Sequence, residues 1–169
     1  MTMKVEMQTL LQADELGVRL EIVRGLPLWE AQPVVRHQRA IDRIRSTIRP
    51  MPPTGEHGNG CGCVHLADVY VRFADGSLKR PDISLFCREP DEEEDAVQLV
   101  PEAVIEVVSR GFEAKDLEIG PPFYLAQGVK DVVVFDPATL LVLHLRRTEA
   151  RRYTSPVDLI LLCGCTCRV

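Results

Sequence analysis

Apolar positions recur along this chain with two periods, and the switch between them divides it into elements. Residues 1–17 have a helical spacing, with Leu10, Leu11 and Leu16 as apolar anchors and Asp14 and Glu15 on the outside. Residues 19–23 and 26–29 are two short apolar runs joined by Arg24-Gly25, the signature of a hairpin. The clearest helix is predicted over 34–48. There Val34, Ile41, Ile44 and Ile48 fall at helical spacing, Arg36, Arg39, Arg43 and Arg45 fill other positions, and Pro50, Pro52 and Pro53 stop it. A glycine-rich loop over 56–62 precedes an alternating strand over 64–73. Asp75-Gly76 marks a turn, and Lys79-Arg80-Pro81 leads into a strand headed by Asp82.

The second half starts with an acidic, solvated connector over 89–95. Residues 101–109 then form an apolar, β-branched run that reads as a strand covered on both faces. A polar crossover over 109–116 follows, then a short helix over 123–127 closed by Gly128 as its C-cap. A buried strand over 132–135 ends at Asp136-Pro137, and further strands over 140–145, 151–154 and 159–167 make a β-rich tail. Antiparallel strands followed by strand, helix, strand predict an α/β fold, a mixed β-sheet flanked by helices. No internal repeat or low-complexity segment interrupts it.

At 169 residues the chain suits one domain over 1–169, with 1–17 as an N-terminal helical extension. Its 46% hydrophobic and 27% charged residues are those of an ordinary globular protein. A net charge of -5 argues against non-specific nucleic-acid binding by the whole surface, though not against a local basic groove. The first residues lack an apolar leader core and no run is long enough to span a bilayer, so a cytoplasmic setting is expected, without membrane association. In such a reducing setting the six cysteines are expected to be thiols rather than a disulfide frame.

The chemistry concentrates in two strands. Glu106 stands in the middle of the 101–109 run, on the face it shares with Val104 and Val108. An ionised carboxylate out of water is costly unless something pairs with it. Asp82 heads the other strand, behind a proline that holds the preceding backbone extended. If the strands are neighbours, both carboxylates and the Val107 carbonyl can bind one Mg²⁺, which prefers oxygen ligands and keeps several waters. Taken singly, Asp82 also reads as a turn aspartate after proline, and Glu106 as half of a buried ion pair with an arginine.

Further residues add a resemblance. Glu21-Ile22-Val23-Arg24 with Gly25-Leu26-Pro27-Leu28, Arg36-His37-Gln38, Arg80-Pro81-Asp82-Ile83, Val104 to Ser109, Lys115-Asp116-Leu117, Tyr124 to Val129 and Val134-Phe135-Asp136-Pro137 occur in that order. Ordered and spaced so, they resemble the landmarks of the Uma-type restriction endonuclease family, within the PD-(D/E)XK nuclease superfamily, from about residue 17 to the end. The resemblance implies a restriction-endonuclease-like core, a divalent ion (Mg²⁺ or Mn²⁺), DNA as substrate and a homodimer. It gives Asp82 and Glu106 the two metal-carboxylate positions. The family's usual lysine, four residues after the aspartate matching Asp116, is Gly120 here, followed by Pro121-Pro122. The superfamily's alternative lysine position, two after Glu106, is Val108. Lys115, on the crossover, is the nearest substitute as a catalytic cation, and a solvated loop lysine is the plainer reading of it.

The implied activity is metal-dependent hydrolysis of DNA phosphodiester bonds by Asp82, Glu106 and Lys115. The alternative is a catalytically impaired member serving as a DNA-binding or interaction module. Glu21 is a further candidate ligand or a surface strand glutamate; His37 is a possible carboxylate or phosphate partner or a helix-surface histidine. Arg36, Arg39, Arg43, Arg45 and Arg49 either grip phosphates or form a solvated face. Cys61 and Cys63 share one strand face, and Cys163, Cys165 and Cys167 another. They either fill strand faces as small buried side chains, pair as a cross-strand disulfide, or together hold Zn²⁺. The C-x-C spacing departs from the usual C-x₂₋₄-C of structural zinc sites.

Overall fold

Two stretches set the framework: the hairpin near the N-terminus and the apolar run around Glu106. The computed structural model describes residues 2–30, 32–52, 60–113 and 115–169, with side chains from residue 7 onward. Helix α1 (Thr2–Glu15) precedes β1 (Leu20–Val23) and β2 (Leu26–Trp29). The turn between those strands needs positive φ at both central residues, and Arg24 and Gly25 adopt 50° and 82°. Helix α2 (Val35–Arg45) is followed by the short β3 (Arg49–Pro50). The expected loop over 56–62 lies outside the described residues as far as 59, as does Pro53.

The predicted strand over 64–73 is broken. It forms β4 (Val64–Ala67) and β5 (Val71–Arg72) because Asp68, at φ 59°, turns the chain between two sheets. Beyond the Asp75-Gly76 turn come β6 (Leu78–Lys79), β7 (Ile83–Phe86) and β8 (Ala103–Val107). The crossover ends not as a loop but as a π-helical turn, Lys115–Ile119, running directly into α3 (Gly120–Ala126). Pro121 and Pro122 sit in the first turn of α3, where a missing N–H costs nothing. Strands β9 (Asp131–Asp136), β10 (Leu141–Arg146), β11 (Glu149–Thr154), β12 (Asp158–Ile160) and β13 (Cys165–Arg168) complete the chain. The expected single strand over 159–167 is thus a hairpin, with Cys163 in its turn.

Among the described residues, the main sheet has six strands in the order β11-β10-β9-β8-β7-β4, beside a four-stranded sheet β2-β1-β6-β5 and a three-stranded one, β12-β13-β3. Within the main sheet β8 pairs parallel with β9, and the other pairs are antiparallel. Every residue of β8 is buried, the two-sided cover its apolar sequence predicts. One face, with Ala103, Ile105 and Val107, packs on Ala40, Ile41 and Ile44 of α2 and on the β12–β13 hairpin. The other face, with Val104 and Val108, packs on Phe123 and Tyr124 of α3.

Asp131 fastens the far side. Fully buried, it accepts from His144 Nε2 at 2.7 Å, Arg146 Nε at 2.6 Å and the Leu162 N–H at 2.7 Å. Burial pushes its carboxyl up, but these donors outweigh burial and hold it below the ordinary 3.8. A depressed folded pKa contributes stability above the unfolded value, and that stability is lost as pH falls through the folded one. Denaturant midpoints should therefore fall as pH drops below about 4, and Asp131→Asn should start lower and lose less over that interval.

The expectation of free thiols is corrected here. Cys61 is bridged to Cys87 and Cys63 to Cys165, while Cys163 and Cys167 are free. The expectation rested on compartment; the bridges follow from position, because the β12–β13 turn folds back onto the segment before β4.

Candidate active site

Register brings the two carboxylates together. Ile83 pairs with Ile105 and Ser84 with Val104, so the next step out along the antiparallel ladder sets Asp82 opposite Glu106. Each then hydrogen-bonds the other's strand. The Asp82 N–H donates to Glu106 Oε2 at 3.2 Å, and the Val107 N–H donates to Asp82 Oδ2 at 2.7 Å. Glu106 Oε1 accepts from the Tyr124 hydroxyl at 2.7 Å. Burial and the negative Asp82 push the Glu106 carboxyl well above the ordinary range, against the pull of Lys115 and Lys79. Burial and Glu106 also raise the Tyr124 phenol, so it stays a donor. Tyr124→Phe should cost roughly 1–3 kcal/mol in a denaturant titration, because it strands a buried acceptor.

His37 approaches from α2. Its Nε2 lies 3.2 Å from Asp82 Oδ2 and 3.1 Å from the Val107 carbonyl oxygen. Burial alone would lower the imidazole pKa; the hydrogen bond and charge of Asp82 outweigh that and raise it. A helix-surface role is therefore corrected: His37 is buried beside the carboxylates. The signal was present in the spacing, since His37, Ile41 and Ile44 stand at i, i+4 and i+7 on one helix face.

Lys115 is likewise not a solvated loop residue. Its side chain is 14% exposed, with Nζ 3.1 Å from Asp116, 3.7 Å from Glu21 and 3.7 Å from Glu30. Burial opposes its charge, but Glu21, Glu106, Asp116 and Glu30 together raise its pKa, so it stays protonated. Asp116 also accepts from the Ser109 N–H at 3.1 Å.

Glu21, which also read as a surface strand glutamate, is fully buried, 2.5 Å from Lys79 Nζ and accepting from the Arg80 N–H at 2.7 Å. Burial raises its carboxyl, but Lys79 and then Lys115 bring it down to about 2. Glu30 moves the other way, to about 10, through burial and the negative Glu21 beside it. Sequence reading missed Glu30, Lys79, Asp116 and Tyr124 as members of this cluster. Glu30 lies just past β2 and Lys79 in the two-residue β6, where a short run gives no periodicity from which burial could be read.

Between these groups is a cavity of about 20 Å³, lined by Asp82, Val107, His37, Lys115, Asp116 and Glu30 among others. That volume holds roughly one water-sized sphere. Glu106 stands behind Asp82, reached through the reciprocal hydrogen bonds. Two arms close the outer side: Arg19 lies 2.5 Å from Asp68, and Arg80 pairs with the same carboxylate at 2.9 Å.

The mixed sheet flanked by helices is an α/β fold in which Asp82 and Glu106 face each other on adjacent strands. The Uma2 family model, described as "Putative restriction endonuclease", matches residues 6–163, and the chain belongs to this family. The fold is similar to the crystal structure of a "putative nuclease belonging to DUF820 from Anabaena variabilis ATCC 29413". The TM-score is 0.63 at 19% identity, over 83% of this chain and 80% of that one. No curated protein matches the sequence. Among the described residues, no helix is long and apolar enough to cross a membrane.

Proposed function

We propose that this chain is a divalent-metal-dependent endonuclease acting on DNA, with Asp82, Glu106 and the Val107 carbonyl as the oxygen donors to one Mg²⁺ or Mn²⁺. The observation that carries the reading is the reciprocal hydrogen bonding of Asp82 and Glu106 beside a polar, ion-sized cavity. The donor set fits a hard cation. Two carboxylates and a carbonyl are the ligand types it prefers. The Val107 oxygen, engaged once by His37, retains a second lone pair. A cation would also relieve the repulsion that raises the Glu106 carboxyl.

When bound, the ion supplies Lewis acidity at a phosphoryl oxygen and makes water a stronger nucleophile. The rest is done by the chain. Tyr124 and the Asp82 N–H hold Glu106 in place, and His37 with the Val107 N–H holds Asp82. Lys115, fixed by Asp116, presents a permanent positive charge at the cavity, where negative charge grows on the phosphate during hydrolysis. It thereby takes over the part of the lysines that Gly120 and Val108 do not provide.

A second reading has its own observation. The Lys115 ammonium is already shared among Asp116, Glu21 and Glu30, so its charge is partly spent and the chain would bind DNA without cutting. Plasmid incubated with the protein and Mg²⁺ or Mn²⁺, beside a chelated control, separates the two. The nuclease reading expects nicked or linear product only with metal; tight DNA binding without product supports the module. A homodimer, which would present two such sites to the two strands of a duplex, is checked by light scattering of the purified chain.

A further inference from the structure

The second concentration of reactive side chains lies away from the carboxylates, at the opposite end of β7 from Asp82. Three segments meet there: Cys61-Gly62-Cys63 before β4, Cys87 just after β7, and Cys163-Gly164-Cys165 at the β12–β13 turn. The Cys61 and Cys165 sulfurs, which belong to different bridges, are 3.6 Å apart. The sulfurs of Cys61, Cys63 and Cys165 all lie within 4.8 Å of one another, and so do those of Cys61, Cys87 and Cys163. The two groups meet at Cys61, so the sulfurs of both bridges and of Cys163 adjoin one another through it.

The backbone is shaped for close approach. The Gly62 N–H donates to the Cys87 carbonyl at 2.9 Å, and a Cβ on Gly62 would meet that oxygen at 3.3 Å. Gly164 takes φ 90°, and its carbonyl accepts from Met51 N–H at 2.9 Å, which ties the turn to the chain just after β3. Each triplet is thus a tight knuckle with a sulfur on either side of a glycine.

We infer that, in its reduced state, this cluster is a structural Zn²⁺ site with Cys61, Cys63, Cys87 and Cys165 as ligands. A tetrahedral zinc with Zn–S near 2.3 Å sets its sulfurs about 3.8 Å apart, close to the 3.6 Å between Cys61 and Cys165. Cys63 already lies with these two, and Cys87, released from Cys61 on reduction, is the fourth ligand. Each bridge accepts two electrons and two protons from a dithiol, which leaves as its own disulfide. The four thiols then release their protons as they bind the ion as thiolates. Cys163 is the spare thiol at the rim, and Cys167 belongs to the core on the α2 face. The ion would pin the three-stranded sheet to the β4–β7 edge of the main sheet. An oxidant would trade it for the two disulfides, so the same staple exists in both redox states.

The test is elemental analysis of the full chain purified in a dithiol reductant. About one zinc per chain, released by an organomercurial, is expected. Cys163→Ser should keep it, and Cys61→Ser with Cys165→Ser should lose it. Should those variants fail to fold, Co²⁺ added to the reduced wild-type chain gives an independent readout. Intense visible bands of tetrahedral cobalt with a thiolate charge-transfer band are expected. Reduced protein that takes up neither ion overturns the inference, as does iron with inorganic sulfide in zinc's place. Loss of zinc in Cys163→Ser overturns the ligand set.

Discussion

Asp82→Asn and Glu106→Gln each lower metal-dependent plasmid cleavage by a factor on the order of 10² to 10³ or more, the scale on which one electrostatic group at a reacting centre matters. The two substitutions keep shape and most hydrogen bonds. The amide introduced at position 82 still accepts from the Val107 N–H. The amide introduced at position 106 still accepts from the Tyr124 hydroxyl or from the backbone N–H that faces it. What disappears is the negative charge. Thermal stability should therefore change little or even rise for Glu106→Gln, since that carboxylate is buried and opposed by Asp82. Cleavage lost with stability retained is the pattern of ligands; a parallel loss of both would mean that the pair merely supports the fold. Cutting equal to wild type in either variant would assign the nuclease activity to a contaminant.

Lys79→Met lowers unfolding free energy by roughly 3–5 kcal/mol, the usual cost of leaving one member of a buried ion pair alone. Lys79 and Glu21 have no exposed side-chain surface. Lys79 also lies 5.3 Å from the centre of the Tyr124 ring, so its loss reaches the Glu106 layer as well. Glu21→Gln added to Lys79→Met should recover most of the loss, because the amide that replaces the carboxylate still accepts from the Arg80 N–H and carries no charge. The pH dependence has a definite sign. In the wild type Glu21 is held near 2, so its stabilisation persists down to strongly acid pH. Without Lys79, burial raises its folded pKa above the unfolded value near 4.5. The deficit of Lys79→Met should then be full above that raised folded pKa and shrink as pH falls through it toward and below 4.5. Denaturant titrations at about pH 4 and pH 7 measure it. Equal deficits at both would show that Lys79 acts through packing rather than charge.

Much of the sheet was legible because its strands carry strong local signals. The run through Glu106 is apolar on both faces, so its cover on both sides followed; its position between β7 and β9 did not. Asp82 opposite Glu106 was readable as a possibility, and only pairing register could decide it. Places where the reading failed share a physical cause. Asp68 interrupts a strand that alternates well, and nothing in the sequence shows a non-glycine residue adopting positive φ. Glu21 looked like a surface strand residue and Lys79 like part of the lead-in to the Asp82 strand, since burial of a charge depends on a partner 58 residues away. His37 fell on the apolar stripe of α2, but an arginine-rich helix made a surface histidine the easier reading. The π-helical turn around Lys115 has no sequence signature of its own, and it turns the ammonium toward the carboxylates rather than into solvent.

The central claim is that two carboxylates from adjacent strands share one hard cation. Diffraction from crystals grown or soaked with Mn²⁺, collected for its anomalous signal, addresses it most directly. A single peak about 2.0–2.3 Å from oxygens of Asp82, Glu106 and the Val107 carbonyl, absent from crystals of Asp82→Asn, is the predicted result. A map with no peak at that position, or with the same peak in Asp82→Asn, would contradict it.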